Sequence, residues 1–408
     1  MARTTPVPRL TGASVLAAAL AVELIDEFVD GAKGAAFPLI RHDLGLSYGQ
    51  VGLLASVPLL LGSFLELPVG VLAGHGRRQR VTVLAGGAVF IASLAGVAWA
   101  RSFPWLLAAF VIFFVASGSF VTLTQSGLMA AEPSRQEQHM ARWDLAGSTG
   151  AVAGPLLLIA VLASGGSWRT AYLLLAAGAI AAWLGMARFG GHLVAAPAPD
   201  SAGQPGAASA ARQVARALRR NGVIRCILLI EAADLLLDVL TGFLALYLVD
   251  VAHATPLQAA VGVAVRLVAG LAGDGLLVQV LEHVDGTAVL RAGTAAAAVL
   301  YPAFLLVPGI WLKLITMAGL SIATAPLYPL LQARLYGSLP GQSGVVVTLS
   351  SAAALVGGVG PLAVGFLAER FGLAWALAAL TLVAPGLLVG LALPWHRNEL
   401  PGAGDVGR

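Results

Sequence analysis

Charge is what this sequence has least of. Only 11% of its 408 residues are Asp, Glu, Lys or Arg, against about 25% in soluble domains, so most of the chain faces lipid or other buried helices. Lysine is nearly missing: only Lys33 and Lys313 occur among 24 basic residues. Most of the arginines lie between apolar runs, so the net charge of +4 reports orientation in a membrane and no nucleic-acid surface is expected. The single cysteine, Cys226, excludes an intrachain disulfide and a multi-cysteine metal site. Asn221 and Asn398 both stand outside an Asn-x-Ser/Thr sequon, which agrees with a prokaryotic inner membrane. No His-Glu-x-x-His or Gly-x-Ser-x-Gly run occurs. Neither lysine stands in the Gly-x4-Gly-Lys-Ser/Thr setting that cradles nucleotide phosphate. The chain therefore reads as a non-enzyme without catalytic residues or a cofactor.

What is present is apolar: 58% hydrophobic residues, 49 glycines and a mean hydropathy of +0.87. A hydrocarbon core roughly 30 Å thick takes about 20 apolar residues per helix, so this length holds about twelve spans. A span-sized window predicts them near 13–38, 50–73, 81–100, 104–130, 145–164 and 169–189, then 224–249, 257–280, 288–307, 310–335, 344–367 and 373–394. Arg3 and Arg9 before Leu10–Val22 mimic a signal peptide, but that run continues into an acid-bearing helix and is expected to remain uncleaved.

With the N-terminus inside, seventeen basic residues collect on the inner face and five on the outer. This predicts a multi-pass inner-membrane protein with both termini cytoplasmic. The one long connector starts irregular, with Pro197, Pro199 and Pro205, and ends in Arg212, Arg216, Arg219 and Arg220, a basic amphipathic segment suited to the inner leaflet. An ordinary solvated linker reads equally well. The expected organisation is a six-helix bundle over 1–190, a cytoplasmic linker over 191–221 and a second bundle over 222–408. Trp143, Trp168, Trp311 and Trp395, near span ends, read as interfacial anchors.

The halves are related. A shift of 208 residues places Glu23 on Glu231, Asp26 on Asp234, Asp30 on Asp238, Ser47 on Thr255, Gln50 on Gln258, Gly62 on Gly270, Glu66 on Asp274 and His75 on His283. Allowing one or two deletions, Gln125 meets Gln332, Pro133 meets Pro340, and Gly154-Pro155 meets Gly360-Pro361. Six spans return the chain to its starting side, so the duplication is parallel, with a pseudo-two-fold along the membrane normal.

This arrangement resembles the major facilitator superfamily over essentially the whole chain. Gly70-Val-Leu-Ala-Gly-His-Gly76-Arg77-Arg78-Gln-Arg80 is similar to that family's loop motif, with Gly74 where the motif has an acid. Gly150-Ala-Val-Ala-Gly154-Pro155 resembles the Gly-x-x-x-Gly-Pro motif of its antiporters, and Trp168-Arg169-Thr-Ala171-Tyr172 the start of its sixth span. The resemblance implies alternating access without ATP, around a central cavity lined mainly by spans one, four, seven and ten. Simple close packing of helices explains Gly150 and Gly154 equally well.

Nine acids fall within spans: Glu23, Asp26, Glu27, Asp30, Glu66, Glu231, Asp234, Asp238 and Asp274. Only Lys33 and Arg266 oppose them. Each charge at bilayer depth costs about 2.5–3.5 kcal/mol on insertion scales, so the acids must be protonated, paired or turned to a wet cavity. At 100° per residue, with Glu23 at zero, Asp26 lies at about −60°, Asp30 at about −20° and Glu27 at about +40°, on one face. Glu231, Asp234 and Asp238 repeat the first three angles.

Three readings stay open. The acids carry protons, with Asp26, Asp234, Glu23, Glu231, Asp30 and Asp238 in that role. Or they bind a cationic substrate, a hard metal ion or a polyamine. Or they hold helices together. An intramembrane aspartyl protease is disfavoured, because Gly270-Leu-Ala-Gly273-Asp274 misses the Gly-x-Gly-Asp pattern. Glu27, Glu66, Asp274, Gln125, Gln332 and Arg266 are the expected cavity residues. Gly70, Arg77, Arg78, Gly150, Gly154 and Pro155 are the expected gating and packing positions. The expected protein is a monomeric, proton-coupled antiporter that exports a small cationic or neutral solute.

Overall fold

The computed structural model describes residues 13–73, 77–131, 136–192, 221–339 and 355–393, with residues 218, 349 and 353. Among them the backbone is helical almost throughout, and no strand occurs. The basic connector segment with Arg212, Arg216, Arg219 and Arg220, the positions His75, Pro133 and Pro340, and Trp395 lie outside the described residues. So do the side chains of Glu66, Arg77 and Asp238, and position 70 is given by its backbone alone.

Contacts divide the chain into one unit over Met1–Ala202 with Ala259–Val261 and another over Gly203–Gln258 with Gly262–Arg408. The first carries α1 (Ala13–Leu44), α2 (Tyr48–Ala73), α3 (Arg77–Ala98), α4 (Phe103–Ser117), a π-helical turn (Gly118–Thr122), α5 (Leu123–Ala131), α6 (Gln136–Ala163) and α7 (Trp168–Phe189). The second carries α8 (Asn221–Asp250), α9 (Pro256–Leu281), α10 (Gly286–Leu306), α11 (Ile310–Thr324), α12 (Leu327–Ser338), α13 (Gly360–Phe371), α14 (Leu373–Ala379) and α15 (Val383–Ala392). Where lipid offers no hydrogen bonds, helices satisfy their own backbone groups, so long apolar runs become helices. Eight spans among the described residues are long and apolar enough to cross a membrane. Each remaining expected span overlaps described helix, in α1, α2, α8 and the segment ending in α13. The protein is an all-α, polytopic membrane protein.

Local chemistry repeats between the units. Before α2, Ser47 and Gln50 form a reciprocal cap: Gln50 N donates to Ser47 Oγ at 3.2 Å and Ser47 N to Gln50 Oε1 at 3.0 Å. Thr255 and Gln258 do the same before α9, at 3.2 and 2.9 Å. Two of the pairs matched by the repeat are thus helix starts. Gly45, with φ of 62°, turns the chain between α1 and α2, and His253, 208 residues later, takes nearly the same left-handed conformation with φ of 55°. Trp105 Nε1 donates to the Gly96 carbonyl at 2.8 Å, tying α4 to the last turns of α3. In the second unit Lys313 Nζ donates to the Phe304 carbonyl at 2.9 Å. Both donor and acceptor are displaced by 208.

Lys313, counted by the sequence among the outer-face charges, is only 6% exposed. Its ammonium also donates to Tyr247 Oη at 2.9 Å and the Leu305 carbonyl at 3.0 Å. It therefore occupies three oxygens, two of them carbonyls at the C-terminal end of α10, where the helix leaves acceptors unused and its dipole favours a cation. Lys313→Met keeps the stem and removes all three donors. Each buried acceptor left unpaired costs about 1–3 kcal/mol, so thermal unfolding of purified protein should show a drop of several degrees. An unchanged midpoint would mean that water replaces the ammonium.

In the first unit α1 lies against α6 backbone to backbone. A methyl group at Gly31 would strike the Ala151 carbonyl, one at Gly150 the Leu24 carbonyl, and one at Gly154 the Ala32 nitrogen and the Phe28 carbonyl. Gly150 and Gly154 are thus packing residues first. Phe90, Phe113 and Phe120 cluster between α3, α4 and the π turn, with ring centroids 4.8 and 5.8 Å from Phe90. In the second unit the core joins α8, α10, α12 and α15 through Cys226, Leu229, Leu290, Leu331, Leu335 and Leu387.

The expected tryptophan anchors need correction. Trp143 and Trp168 are each 3% exposed. The Trp168 indole donates to Asp43 Oδ2 at 3.3 Å, and Asp43 also pairs with Arg169, whose second nitrogen reaches the Ala100 carbonyl at 2.9 Å. A ring buried within the protein, with its N–H satisfied there, has no need of the headgroup region. The exposed indoles at helix ends are Trp99, Trp105, Trp311 and Trp375.

Candidate functional site

The candidate site in the first unit is the acidic face of α1. Helical periodicity sets Glu23, Asp26, Glu27 and Asp30 on one side of this helix, and the packing around it decides what each carboxylate meets. Glu23 and Glu27 face α6 at Gly147. A methyl group there would lie 2.7 Å from Glu23 Oε1 and 3.3 Å from Glu27 Cγ, so the missing side chain is the space the two acids use. The buried Trp143 indole, one turn earlier on α6, hydrogen-bonds toward Glu23. Asp26 turns to α4, where the Ser117 hydroxyl donates to Asp26 Oδ1 at 2.8 Å. Asp30 is exposed and forms an ion pair with Lys33, one turn further on.

The face is strongly unbalanced in charge. Among the described residues, the cation whose field reaches Asp26 and Glu27 is Lys33, and it is bound to Asp30. Ser117 closes α4 directly before the π-helical turn Gly118–Thr122. Such turns widen a helix by one residue and are common at functional sites. Here the turn places a hydrogen-bond donor to Asp26 at the start of an irregular segment.

In the second unit Glu231, on α8, packs its carboxylate against Gly357, as Glu23 does against Gly147. Asp234 is half-buried on the same helix. Arg266 Nη2, on α9, donates to the Leu237 carbonyl at 3.2 Å, bridging α9 to α8. Asp274 is exposed on α9, and Gln332 is half-buried on α12. Gln125 is half-buried on α5 in the first unit. Arg78 is exposed at the start of α3, and Pro155 is buried within α6 beside Gly154. Among the described residues, no three His, Cys, Asp or Glu side chains come together in a way that could hold a metal ion.

Sequence reasoning missed Ser117, Trp143, Gly147 and Gly357. Only Gly147 carried a signal, as the start of a Gly147, Gly150, Gly154 stripe at helical spacing. Ser117 is one hydroxyl among several in apolar spans, and nothing in its neighbours points to Asp26.

Three comparisons bear on this arrangement. The methyl viologen resistance protein SmvA of Salmonella typhimurium is 29% identical over 124 residues, which are 30% of this chain and 25% of that protein. The chain thus matches about a quarter of the length of this curated relative. Among solved structures, a bacterial homologue of the human lysosomal transporter Spinster superposes with a TM-score of 0.75 at 16% identity, covering 92% of this chain and 95% of that one. The nucleoside transporter NupG superposes with a TM-score of 0.77 at 10% identity, covering 92% and 98%. These likenesses give the fold. The sequence profile described as Major Facilitator Superfamily matches residues 20–281, more than half of the chain. With that match, and with a fold shared by solved transporters of low identity, the chain belongs to the Major Facilitator Superfamily of membrane transporters.

Proposed function

We propose that this transporter exchanges protons for a small cationic or neutral, drug-like solute across the inner membrane, by alternating access and in the direction of export, as a monomer with both termini cytoplasmic. The observation that carries this reading is the charge on α1: four carboxylates within eight residues of a packed helix, with one lysine bound to one of them. Three formal negative charges in such a place need protons or a positively charged guest, and a carrier that alternates between the two performs antiport. The relative's name adds support, since it concerns resistance to methyl viologen, itself a dication. A metal cargo fits less well, because a hard cation wants several oxygens converging on it and the described carboxylates spread toward α4, α6 and Lys33. The close packing of Gly150 and Gly154 against α1 would make α1 and α6 move as one body when the carrier changes state.

The test uses everted membrane vesicles acidified inside by respiration, with a trapped pH-sensitive dye. Adding methyl viologen should release protons from the lumen in vesicles containing the protein and not in control vesicles. Addition of a dianion should release none. Proton release by the dianion, or none with a panel of cations and neutral drugs, would overturn the reading.

A further inference from the structure

We infer that α3 holds the π-helical turn Gly118–Thr122 in place and thereby sets Ser117 on Asp26, with Gly86 and Gln79 as positioning residues. The inference rests on the reading of Asp26 as a proton carrier given above. A π turn carries one residue more than an α-helical turn, so it rotates the helix before it against the helix after it by about 100°. Ser117 ends α4 and Leu123 begins α5, on either side of this turn. If the turn relaxed to α-helix with α5 in place, the Ser117 hydroxyl, which lies 2.8 Å from Asp26 Oδ1, would swing away from α1. Ser117 therefore meets Asp26 only while the extra residue is held.

α3 holds it with two missing side chains and one amide. A methyl group at Gly86 would lie 2.7 Å from Ser119 Cβ and 3.1 Å from the Phe120 nitrogen, and one at Gly87 2.9 Å from Phe120 Cε2. Ser119 and Ser117 stand about 200° apart around the helix, so the side of the turn seated on α3 is opposite the side that meets α1. Phe120 is fully buried there, its ring centroid 5.8 Å from that of Phe90. Gln79 shares the face of α3 with Gly86, about 10 Å away. It is buried, and its Nε2 donates to the Leu123 carbonyl at 3.4 Å, which ties the start of α5 to α3. Hydroxyls take up the acceptors that a widened turn loosens: Ser119 Oγ donates to the Val115 carbonyl at 3.0 Å and Thr124 Oγ1 to the Phe120 carbonyl at 2.6 Å.

The charged groups acting on Asp26 are Glu27, Asp30 and Lys33 of its own helix, and Asp26 in turn acts on Glu23. α4, the π turn and α5 add no titratable side chain. α6 brings Asp144 to Glu23, and α7 brings Tyr172 into the field of Asp30. A substitution at Gly86 changes none of these charges. Any effect it has on the pH response is transmitted by position.

Proton release driven by methyl viologen from everted vesicles, measured across pH, tests this. Ser117→Ala should displace the midpoint of that profile by about one pH unit, the order expected for one hydrogen bond to a carboxylate. Ser117→Thr, which keeps the hydroxyl, should retain the wild-type midpoint. Gly86→Ala should displace it as far and in the same direction as Ser117→Ala, and the double variant no further, because both changes remove one interaction. Gly96→Ala, whose methyl would make an ordinary contact 3.7 Å from Ala109 Cβ on α4, should leave the midpoint in place. Gln79→Met keeps the volume and drops the donor, so it should move the midpoint the same way, and it decides the question if Gly86→Ala does not fold. A wild-type midpoint in Gly86→Ala or in Gln79→Met, or additive displacements in the double variant, would overturn the inference while Asp26→Asn still abolishes accumulation. A profile indifferent to Asp26→Asn would overturn the proton reading itself, and this inference with it.

Discussion

Asp26→Asn is expected to reduce proton-driven accumulation to nothing while leaving the protein folded and inserted. The amide has the shape of a protonated carboxyl and keeps an oxygen to accept from Ser117 Oγ, which lies 2.8 Å from Asp26 Oδ1. Packing between α1 and α4 is therefore preserved, and only the ability to ionise is lost. One pH unit is worth about 1.4 kcal/mol, so each exchanged proton supports about tenfold accumulation per unit of gradient. In vesicles under an imposed gradient, the accumulation ratio of the variant should fall to one, while exchange of labelled for unlabelled solute continues. Asp234→Asn, its counterpart by the 208-residue repeat, should behave alike. Undiminished uphill transport in both variants would assign the proton elsewhere, with Glu23 and Glu231 next in line, each seated against a glycine of its own unit.

The second large effect is structural. Gly154→Leu should leave almost no folded protein. Its first side-chain atom would fall on the α1 backbone at Ala32 and Phe28, and backbone cannot rotate away as a side chain can. Overpacking a well-packed core costs about 1–3 kcal/mol where side chains yield, and here α1 would have to leave α6 along its length. The yield of monodisperse protein on size exclusion should collapse, and a normal yield would mean that α1 and α6 have another way to pack. Gly147→Ala makes the contrast: the added methyl meets the flexible end of Glu23 at 2.7 Å. That variant should fold at near-normal yield and show altered transport, because the carboxylate is re-aimed.

Sequence alone determined the class of this protein, the approximate spans and the duplication. The reasons are physical: a bilayer demands long apolar runs, and duplication leaves a fixed shift. It also set which residues share the acidic face of α1, because helical periodicity is a property of one helix. It did not show what each acid meets. Glu23 and Asp26 lie about 60° apart on one helix, yet one faces Gly147 and Trp143 on α6 and the other Ser117 on α4. Nor did it separate the buried Trp143 and Trp168 from the exposed Trp99 and Trp105. It likewise did not separate Ser47 and Gln50, which begin a helix, from the matched acids of the first and seventh expected spans. Neighbours brought together across about 90 or 120 positions of sequence are chosen by how glycine-faced helices close on one another, and only the tertiary structure decides that.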